Sequence, residues 1–466
     1  MNLIDLLENS VGQCPEKPAL IDGSTVVSYA DLSSQVCALA TQLEKLQLAP
    51  GSRIGLSYPN SIPYVALTFA LWKIGAVVVP VPIECTEEDL ENLAETMELE
   101  GILSQKPATQ TVVVDSGCYF TRRNRKRPAD NHGLNIAFIR FTSGTTSARK
   151  GVVLSHESIR DRVAAANKAL QITRHDTVMW CLPMSHHFLI TIVLYLSCGA
   201  TIVLSRHVVA RSFLEAINRS KGTVLYAAPF HYALLARDGS CLGLPSVRLA
   251  VSTTCSLPQD VAHDFHKRFN LPLAQGLGII ELGLVALNTT DPVGRWNSVG
   301  RPLPDFEVKI LAPDHDGCGE VAVRGPGLLD AYASPWMSRD RILSGGWFIT
   351  GDVGRIDTEG YLMLVGRKTA VINLAGRKVF PEEIESVLNR HPAVRESRVY
   401  GRMHPHLGEV VEADLVLDQS EANLDAVREF CRTHLASFKV PTRLHVVTSL
   451  PRTLVTGKIR RTAAVA

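Results

Sequence analysis

Short apolar runs alternate with segments of helical periodicity along roughly the first 295 residues of the chain. The run RIGLSYP (53–59) precedes SIPYVALTFALWKIG (61–75), which has the length and spacing of a helix, and AVVVPV (76–81) follows as a second apolar run. Near-continuous apolar strands separated by helices are typical of parallel sheets that are covered by helices. The same rhythm recurs at 158–179, 188–204, 211–229 and 247–275.

The N-terminal part of the chain adds a different element. The segments ALIDG (19–23) and TVVS (25–28) predict a β-ribbon, and an amphipathic helix is predicted after it. Ser28 and Asp31 stand where an N-cap and a first-turn acid belong. We therefore expect the helix to begin close to residue 29.

From about residue 295 the pattern changes to shorter strands separated by Gly, Pro and Asp. FEVKIL (306–311), GEVAVRG (319–325) and GRIDTEGYLMLVGR (354–367) predict an antiparallel region. After Arg367 the chain predicts a β-hairpin, a helix, two strands, a further helix near 421–435 and a last strand, which together have the size of a small domain.

The predicted fold class is α/β. A large N-terminal domain of two helix-covered sheets plus a small antiparallel β region would comprise residues 1–366, and a small α+β domain would comprise residues 367–466.

Composition limits the possible partners. The 466 residues are 46% hydrophobic and 20% charged, which is typical of a globular protein with a large core. A net charge of +2 argues against a nucleic-acid or anionic-membrane partner, and the basic run at 122–127 is interpreted as a solvated loop. The ten cysteines include no Cys-x-x-Cys pair, which favours a reducing compartment.

The sequence also predicts neither a signal peptide nor a membrane span. The N-terminus MNLIDLLENS has no basic region and does not resemble a signal peptide. The apolar stretch 188–204 is interrupted by Cys198-Gly199, so it predicts a core helix, a turn and a buried strand rather than a membrane span. We therefore expect a cytoplasmic protein.

The stretch FIRFTSGTTSARKGVVLSH (138–156) contains small and hydroxylated residues followed by Lys150. Small residues let backbone N–H groups surround an anion, and a lysine adds a point charge, so the stretch predicts a phosphate-binding loop. It does not match the P-loop pattern, because Arg149 occupies the second glycine position and Gly151 follows the lysine. A flexible polar loop remains an alternative.

Three further stretches carry candidate chemistry. QGLGIIELG (275–283) places Glu281 after a predicted strand, and an acid beside a phosphate loop is suited to Mg²⁺. Asp352 lies in a Gly-Asp turn, where its carboxylate could accept both hydroxyls of a ribose or simply bond local backbone. Lys458, beside a glycine in PRTLVTGKIRR (451–461), is by itself compatible with a solvated basic tail.

These stretches, in this order, resemble the adenylate-forming superfamily of acyl- and aryl-CoA synthetases, peptide-synthetase adenylation domains and luciferase, most closely its stand-alone acid ligases. The resemblance covers nearly the whole chain, and GWFITGDVGRIDTEGYLMLVGRK (346–368) and GRKVFPEEIESVL (376–388) are its most specific motifs. It implies that ATP and a carboxylic acid give an acyl-adenylate and pyrophosphate, and that a thiol then displaces AMP. It also implies a mobile C-terminal domain.

The resemblance further implies roles for individual residues. Lys458 would be the catalytic adenylation lysine, Lys150 would hold phosphate, and His186 would gate the acid pocket. Glu281 would bind Mg²⁺ with the hydroxyl of Thr146. The other nucleotide-binding positions would be Thr142, Ser143, Gly144, Thr145, Thr146, Thr253, Thr254, Gly276, Leu277, Gly278, Asp352 and Arg367.

Several positions depart from the family pattern. Leu277 replaces the aromatic residue that commonly stacks on adenine, and Ile280 replaces a threonine. Ser147 and Arg149 replace the usual glycine and proline of the phosphate loop, and Thr369 replaces an aspartate or lysine at the hinge. A divergent branch with weaker ATP affinity is one interpretation, and a degenerate, non-catalytic homologue that binds a nucleotide or a carrier protein is another.

The acid would bind in a pocket lined by His186, His187, Phe188, Tyr226, Ala228 and Ile280. No carboxylate stands at 184–188 to pair an α-amine, so a fatty or aryl acid is favoured, and a stand-alone amino-acid adenylation enzyme is the alternative. No carrier domain follows in this sequence, so the thiol is expected from CoA or from the phosphopantetheine of a separate carrier protein.

Overall fold

The computed structural model describes residues 1–108, 111–123, 130–141, 150–205, 209–374, 377–404, 408–418 and 423–452, together with Ile459. These residues form two compact units. The first takes its described residues from 1–141, 150–307 and 325–344, and the second takes them from 308–324 and from 345 onward. The domain boundary predicted between residues 366 and 367 lies inside the second unit and stays a prediction.

The described residues contain helices α1 to α11 in the first unit, where they alternate with strands, and α12 and α13 in the second. In chain order they are α1 (Ile4–Gln13), α2 (Tyr29–Glu44), α3 (Ile62–Lys73), α4 (Glu87–Thr96), α5 (His156–Leu170), α6 (Met184–His187), α7 (Ile192–Ser197), α8 (Ala210–Ser220), α9 (Pro229–Arg237), α10 (Gln259–Phe269), α11 (Arg339–Ile342), α12 (Pro381–Leu388) and α13 (Leu424–His434).

The strands are short except at the end of the chain. In the same order they are β1 (Pro18–Asp22), β2 (Thr25–Ser28), β3 (Arg53–Ser57), β4 (Val77–Pro80), β5 (Gly101–Ser104), β6 (Thr111–Asp115), β7 (Cys118–Arg122), β8 (Ile136–Phe141), β9 (Gly151–Ser155), β10 (Thr177–Trp180), β11 (Thr201–Leu204), β12 (Val224–Ala227), β13 (Leu249–Ser252), β14 (Leu273–Ile279), β15 (Gly283–Leu287), β16 (Arg301–Pro302), β17 (Glu307–Leu311), β18 (Gly319–Arg324), β19 (Ala331–Ala333), β20 (Trp336–Ser338), β21 (Phe348–Ile356), β22 (Leu362–Arg367), β23 (Ile372–Leu374), β24 (Arg377–Val379), β25 (Val394–His404), β26 (Gly408–Leu417) and β27 (Arg443–Val446).

Two mixed sheets form the first unit. One has the order β16-β15-β14-β13-β12-β10-β11-β1-β2, and its six strands from β14 to β1 are parallel. The other has the order β20-β19-β9-β8-β4-β3-β5-β7-β6, with a parallel centre of β8, β4, β3 and β5. The predicted helix-covered parallel sheets are confirmed, and antiparallel strands extend both edges of each sheet.

The local predictions at the N-terminus and in the apolar stretch are also confirmed. Ser28 caps α2 by accepting from the backbone N–H of Asp31, whose side chain completes a capping box. In the apolar stretch, α7 is followed by a turn at Gly199, where φ is +69°, and by the wholly buried β11. Among the helices of the described segments, none has both the length and the hydropathy needed to cross a bilayer.

The second unit contains the predicted antiparallel region. The strands β17, β18, β21 and β22 form one sheet in that order. A further sheet has the order β24-β23-β26-β25 with β27 beside β26, and α12 and α13 share a hydrophobic core with it. The predicted hairpin, helix and strands of the C-terminal segment are therefore confirmed, because the apolar positions at Ile384, Val399 and Val427 face one another in this core.

Candidate active site

The carboxyl ends of three parallel strands meet at one edge of the first sheet. The parallel register places Ala227 of β12 beside Ser252 of β13, and Ser252 beside Gln275 of β14. Ligands of parallel sheets bind at this edge, because the loops that follow neighbouring strands converge there. The structure thereby brings together the following predicted nucleotide and acid positions: Tyr226, Ala228, Thr253, Thr254, Gly276, Leu277 and Gly278.

The loop after β13 is held close to β12. The backbone N–H of Thr253 donates to the carbonyl of Ala227 at 3.1 Å. Thr254 has φ of +79°, a left-handed conformation that favours glycine and strains a β-branched residue by about 1–3 kcal/mol. Glycine would adopt this backbone conformation without that strain.

Two buried polar atoms at the same edge have no hydrogen-bond partner among the described residues. They are Oγ of Ser252, a residue with no exposed surface, and Oε1 of Gln275. A buried polar atom without a partner costs about 1–3 kcal/mol, so each of these atoms is suited to meet a polar atom of a ligand. Neither residue was among the sequence-predicted positions.

Two of the predicted acid-binding residues, Tyr226 and His187, lie beside Trp180 at the end of β10. Its ring stacks on Tyr226 at 6.1 Å between centroids, and the ring of His187 meets it edge-on at 6.3 Å. Burial raises the pKa of Tyr226, and a hydrogen bond with Thr253 lowers it by a smaller amount. The sequence reasoning missed Trp180, although it is the last residue of an apolar strand.

Phe188 occupies a different environment. Its side chain is 1% exposed and packs against Tyr64, Phe69 and Trp72. His186, on α6, is half-buried. The predicted acid-binding role of Phe188 stays a prediction, and its contacts in the structure are those of a core residue.

A tyrosine joins two of the predicted site residues. The hydroxyl of Tyr332 donates to Oε1 of Glu281 at 3.1 Å, and the ammonium of Lys150 lies 4.9 Å from the centroid of the Tyr332 ring. Burial raises the pKa of Tyr332, and the charge of Glu281 raises it further, so the phenol stays protonated. The sequence offered no signal for this residue, because Tyr332 is 51 positions from Glu281.

The backbone around Glu281 is fixed by a buried arginine. Arg162, 3% exposed on α5, donates to the carbonyl oxygens of Ile280 and Glu281 at 2.9 Å each and to that of Gly327 at 2.7 Å. Gly327 has φ of +65°, and a Cβ there would lie 2.6 Å from Cγ of Arg162. This position therefore requires glycine for both its backbone conformation and its close packing.

Asp330 fixes the same segment to the beginning of α5. Its carboxylate accepts from the backbone N–H of Ser155 at 2.6 Å and from the hydroxyl of Ser158 at 3.1 Å, and it pairs with Arg339 at 2.6 Å. The backbone N–H of Leu329 donates to the carbonyl of Glu281 at 2.8 Å. Residues 327–332 thus connect α5, β9 and the Glu281 turn.

In the second unit the predicted ribose-binding residues are adjacent. The antiparallel register of β21 and β22 places Asp352 opposite Arg367, and Nε of Arg367 lies 2.7 Å from Oδ1 of Asp352. Arg367 also donates to the carbonyl of Thr350 at 3.0 Å, and the hydroxyl of Thr350 accepts from the N–H of Asp352 at 3.0 Å. Asp352 is only 8% exposed, so its carboxylate is held in a defined position.

The remaining predictions fall outside the described residues. They concern the phosphate-loop positions Thr142, Ser143, Gly144, Thr145 and Thr146, and the proposed adenylation lysine, Lys458. Their roles stay predictions.

Comparison with known proteins identifies the family. Residues 7–333 match the AMP-binding enzyme family, and residues 383–458 match the AMP-binding enzyme C-terminal domain. The long-chain-fatty-acid–CoA ligase FadD13 of Mycobacterium tuberculosis is 28% identical over 96% of this chain and 95% of its own length. The oxalate–CoA ligase of Arabidopsis thaliana is 28% identical over 98% and 97%.

Solved structures show the same relationship. The o-succinylbenzoate coenzyme A synthetase MenE of Bacillus subtilis, in complex with ATP and magnesium ion, superposes with a TM-score of 0.86 at 25% identity, covering 98% of each chain. The chain therefore belongs to the AMP-binding enzyme family and is an enzyme of the AMP-forming acid–thiol ligase type.

Proposed function

We propose that this protein activates a fatty or aryl carboxylic acid with ATP and transfers the acyl group to a thiol. In the first step a carboxylate oxygen attacks the α-phosphorus, the bond between the α- and β-phosphates breaks, and pyrophosphate leaves. In the second step a thiolate sulfur attacks the acyl carbonyl, the bond to AMP breaks, and a thioester forms.

The observation that carries the proposal is the arrangement of Lys150, Tyr332 and Glu281. One phenol contacts an ammonium through its ring and a carboxylate through its hydroxyl, next to the strand that follows the predicted phosphate loop. A cation that holds phosphate oxygens and an acid that holds a divalent cation are what an ATP-cleaving site requires.

Glu281 fits a magnesium site. Magnesium prefers carboxylate oxygens and phosphate oxygens, and Glu281 is a partly exposed carboxylate whose hydrogen bond comes from a neutral group. When bound, Mg²⁺ would neutralise charge on the phosphates of ATP. Glu281 would hold the ion, with Thr146 as the predicted second ligand.

The remaining predicted groups would contact the nucleotide itself. The orphaned atoms of Ser252 and Gln275 support a polar ligand at the strand edge, where the adenine is predicted to bind beside Thr253 and Leu277. Asp352 and Arg367 would contact the ribose hydroxyls. Lys458 would stabilise the negative charge that develops when the carboxylate attacks the α-phosphorus.

The aromatic surroundings of the acid site favour an aryl or fatty acid. Trp180 and Tyr226 stack on each other, and His187 contacts Trp180. The sequence 181–193 contains no aspartate or glutamate that would pair an α-amine, so an amino acid would place an unpaired ammonium in this site. We infer that His186 borders the entrance of the same pocket, and Ala228 and Ile280 line it.

CoA is the favoured acceptor, because the two curated relatives described above are CoA ligases. Basic residues for its phosphates are available in the second unit, for example Arg377, whose guanidinium lies 4.9 Å from the Phe438 ring. The phosphopantetheine arm of a separate carrier protein would need similar positive charge and is the second possibility. A cytoplasmic location also stays a prediction.

The test is acid-dependent ATP–pyrophosphate exchange with a panel of fatty, aryl, dicarboxylic and amino acids, followed by mass detection of a thioester after CoA or a carrier protein is added. Exchange with at least one acid is expected. Lys458→Ala should reduce exchange about 100-fold or more, because it removes transition-state charge stabilisation. The matched control is Lys45→Ala, at an exposed position.

Three results would contradict the proposal. Absence of exchange with every acid would favour a degenerate binding protein. Exchange that persists unchanged in Lys458→Ala would contradict the assignment of the lysine. Exchange restricted to amino acids would favour the amino-acid adenylation alternative.

A further inference from the structure

Tyr332 lies on β19, the strand between β9 and the edge strand β20. Strand β19 pairs antiparallel with β9, and the register places Tyr332 opposite Val152, two residues after Lys150. The side chain is 9% exposed. The sheet therefore presents one nearly buried phenol where the chain leaves the loop and enters β9.

This phenol contacts two charged groups with two different parts. Its hydroxyl donates to Oε1 of Glu281 at 3.1 Å, and its ring face lies 4.9 Å from the ammonium of Lys150. The face of an aromatic ring carries negative electrostatic potential and attracts a cation. In the described part of the chain, Lys150 and Glu281 form no direct ion pair with each other.

The separation has a chemical consequence. A direct ion pair would neutralise the lysine and the glutamate, and each would then have to break that pair to bind its own ligand. Because each group contacts Tyr332 and not the other, the carboxylate need not leave an ion pair with Lys150 to bind a divalent cation, and the ammonium need not leave one to bind phosphate oxygens. One Glu281 oxygen is oriented by the hydroxyl, and no described side chain donates to the other.

The position of Tyr332 relative to Glu281 is fixed by backbone contacts. Arg162 binds the carbonyls of Glu281 and Gly327, and Leu329 donates to the same Glu281 carbonyl. The segment that leads into β19 is thereby bonded to the turn that carries the glutamate. The hydrogen bond to Oε1 is thus part of a rigid arrangement.

We infer that Tyr332 is a positioning residue that orients Glu281 for magnesium and holds Lys150 apart from it. The inference rests on the proposed function of the same site.

The test compares Tyr332→Phe, which keeps the ring and removes the hydroxyl, with Tyr332→Leu, which removes both. Tyr58→Phe is the control, because its buried hydroxyl bonds the carbonyls of Ser104 and Gly117 elsewhere in the same unit. The measurements are kcat and KM of exchange as a function of Mg²⁺, and calorimetric binding of ATP with and without Mg²⁺.

Tyr332→Phe should lower kcat about 10-fold and raise the Mg²⁺ concentration needed for half-maximal rate about 5-fold, because Glu281 loses its orienting donor. ATP binding should weaken only in the presence of Mg²⁺. Tyr332→Leu should lower kcat about 100-fold and also weaken Mg²⁺-free ATP binding, because Lys150 loses its ring contact.

A Tyr332→Phe protein with unchanged kcat, Mg²⁺ dependence and Mg²⁺-dependent ATP binding would overturn the inference, even if its melting temperature fell. If the wild-type protein shows no exchange with any acid but binds ATP in a Mg²⁺-dependent manner, the proposed function fails and the binding data still decide on Tyr332. If the wild-type protein binds no ATP with Mg²⁺, the inference fails as well.

Discussion

Two carboxylates of this protein are held by groups of opposite kind. Glu281, in the first unit, accepts a hydrogen bond at 3.1 Å from the neutral hydroxyl of Tyr332. Asp352, in the second unit, lies 2.7 Å from the guanidinium of Arg367. Both residues are proposed to contact ATP, so the difference in their partners indicates a difference in their tasks.

A neutral donor orients a carboxylate and leaves its negative charge in place, whereas a guanidinium orients it and offsets that charge. A magnesium ion requires the charge, because its binding is electrostatic. Ribose hydroxyls require only acceptor lone pairs, which the oxygen atoms of a paired aspartate still offer. The charge of the partner therefore follows from the ligand that each carboxylate is proposed to bind.

The largest effect is expected from Glu281→Gln. The amide can still accept from Tyr332 but carries no charge, so the variant separates orientation from charge. We expect exchange activity to fall about 100- to 1000-fold, because an electrostatic contribution to the transition state is lost. The melting temperature should hardly change. The rate is measured by ATP–pyrophosphate exchange over a range of Mg²⁺ concentrations.

The control for Glu281→Gln is Glu91→Gln, which removes an exposed charge that pairs with Arg123. It should leave exchange unaffected. An activity of Glu281→Gln within a factor of about three of wild type would show that the charge of Glu281 is dispensable, and the comparison of the two carboxylates would lose its basis.

A smaller effect is expected at the paired carboxylate. Asp352→Asn and Arg367→Met should each weaken ATP binding about 10- to 30-fold, because the first replaces one acceptor oxygen with a donor and the second removes the guanidinium that holds the carboxylate. The double variant should bind ATP only slightly more weakly than either single variant, since both substitutions disrupt the same arrangement. Calorimetric titration of ATP into the four proteins measures this coupling.

Arg432→Met provides the matched control, because Arg432 pairs with Glu429 at an exposed position of α13. Its effect on ATP binding should be negligible. If the effects of Asp352→Asn and Arg367→Met on the free energy of ATP binding were strictly additive, the two side chains would act independently. That result would contradict the coupling expected from their 2.7 Å contact.

The sequence predicted the strands and helices well where local pattern decides them. The capping box at Ser28, the parallel strands that end near Tyr226 and the hairpin that begins at Ile372 all follow from nearby residues. The register of β21 and β22 places Asp352 opposite Arg367, and it corrects the predicted Gly-Asp turn, because Asp352 lies inside β21. In these cases, chain neighbours or adjacent strands carry the information.

The partners of Glu281 could not be predicted in this way. Tyr332 and Arg162 reach it from residues 51 and 119 positions away in sequence, through contacts between different strands and a helix. Trp180 was missed for the same reason, because its role is visible only beside Tyr226. Packing between distant segments decides which side chains surround a charge. The periodicity of the sequence does not predict that packing.

The smallest effect is expected from Thr350→Val, which keeps the side-chain shape and removes the hydroxyl. That hydroxyl donates to the carbonyl of Val321 at 2.9 Å and accepts from the N–H of Asp352 at 3.0 Å. Its loss should destabilise the protein by about 1–2 kcal/mol and weaken ATP binding about 2- to 5-fold, because Asp352 loses a backbone constraint but keeps Arg367. Thr442→Val, which removes a hydroxyl bonded to the Val411 carbonyl in the same unit, should affect stability alone. If Thr350→Val weakened ATP binding as strongly as Asp352→Asn, the backbone rather than the guanidinium would position this carboxylate. The proposed contrast between Asp352 and Glu281 would then be wrong.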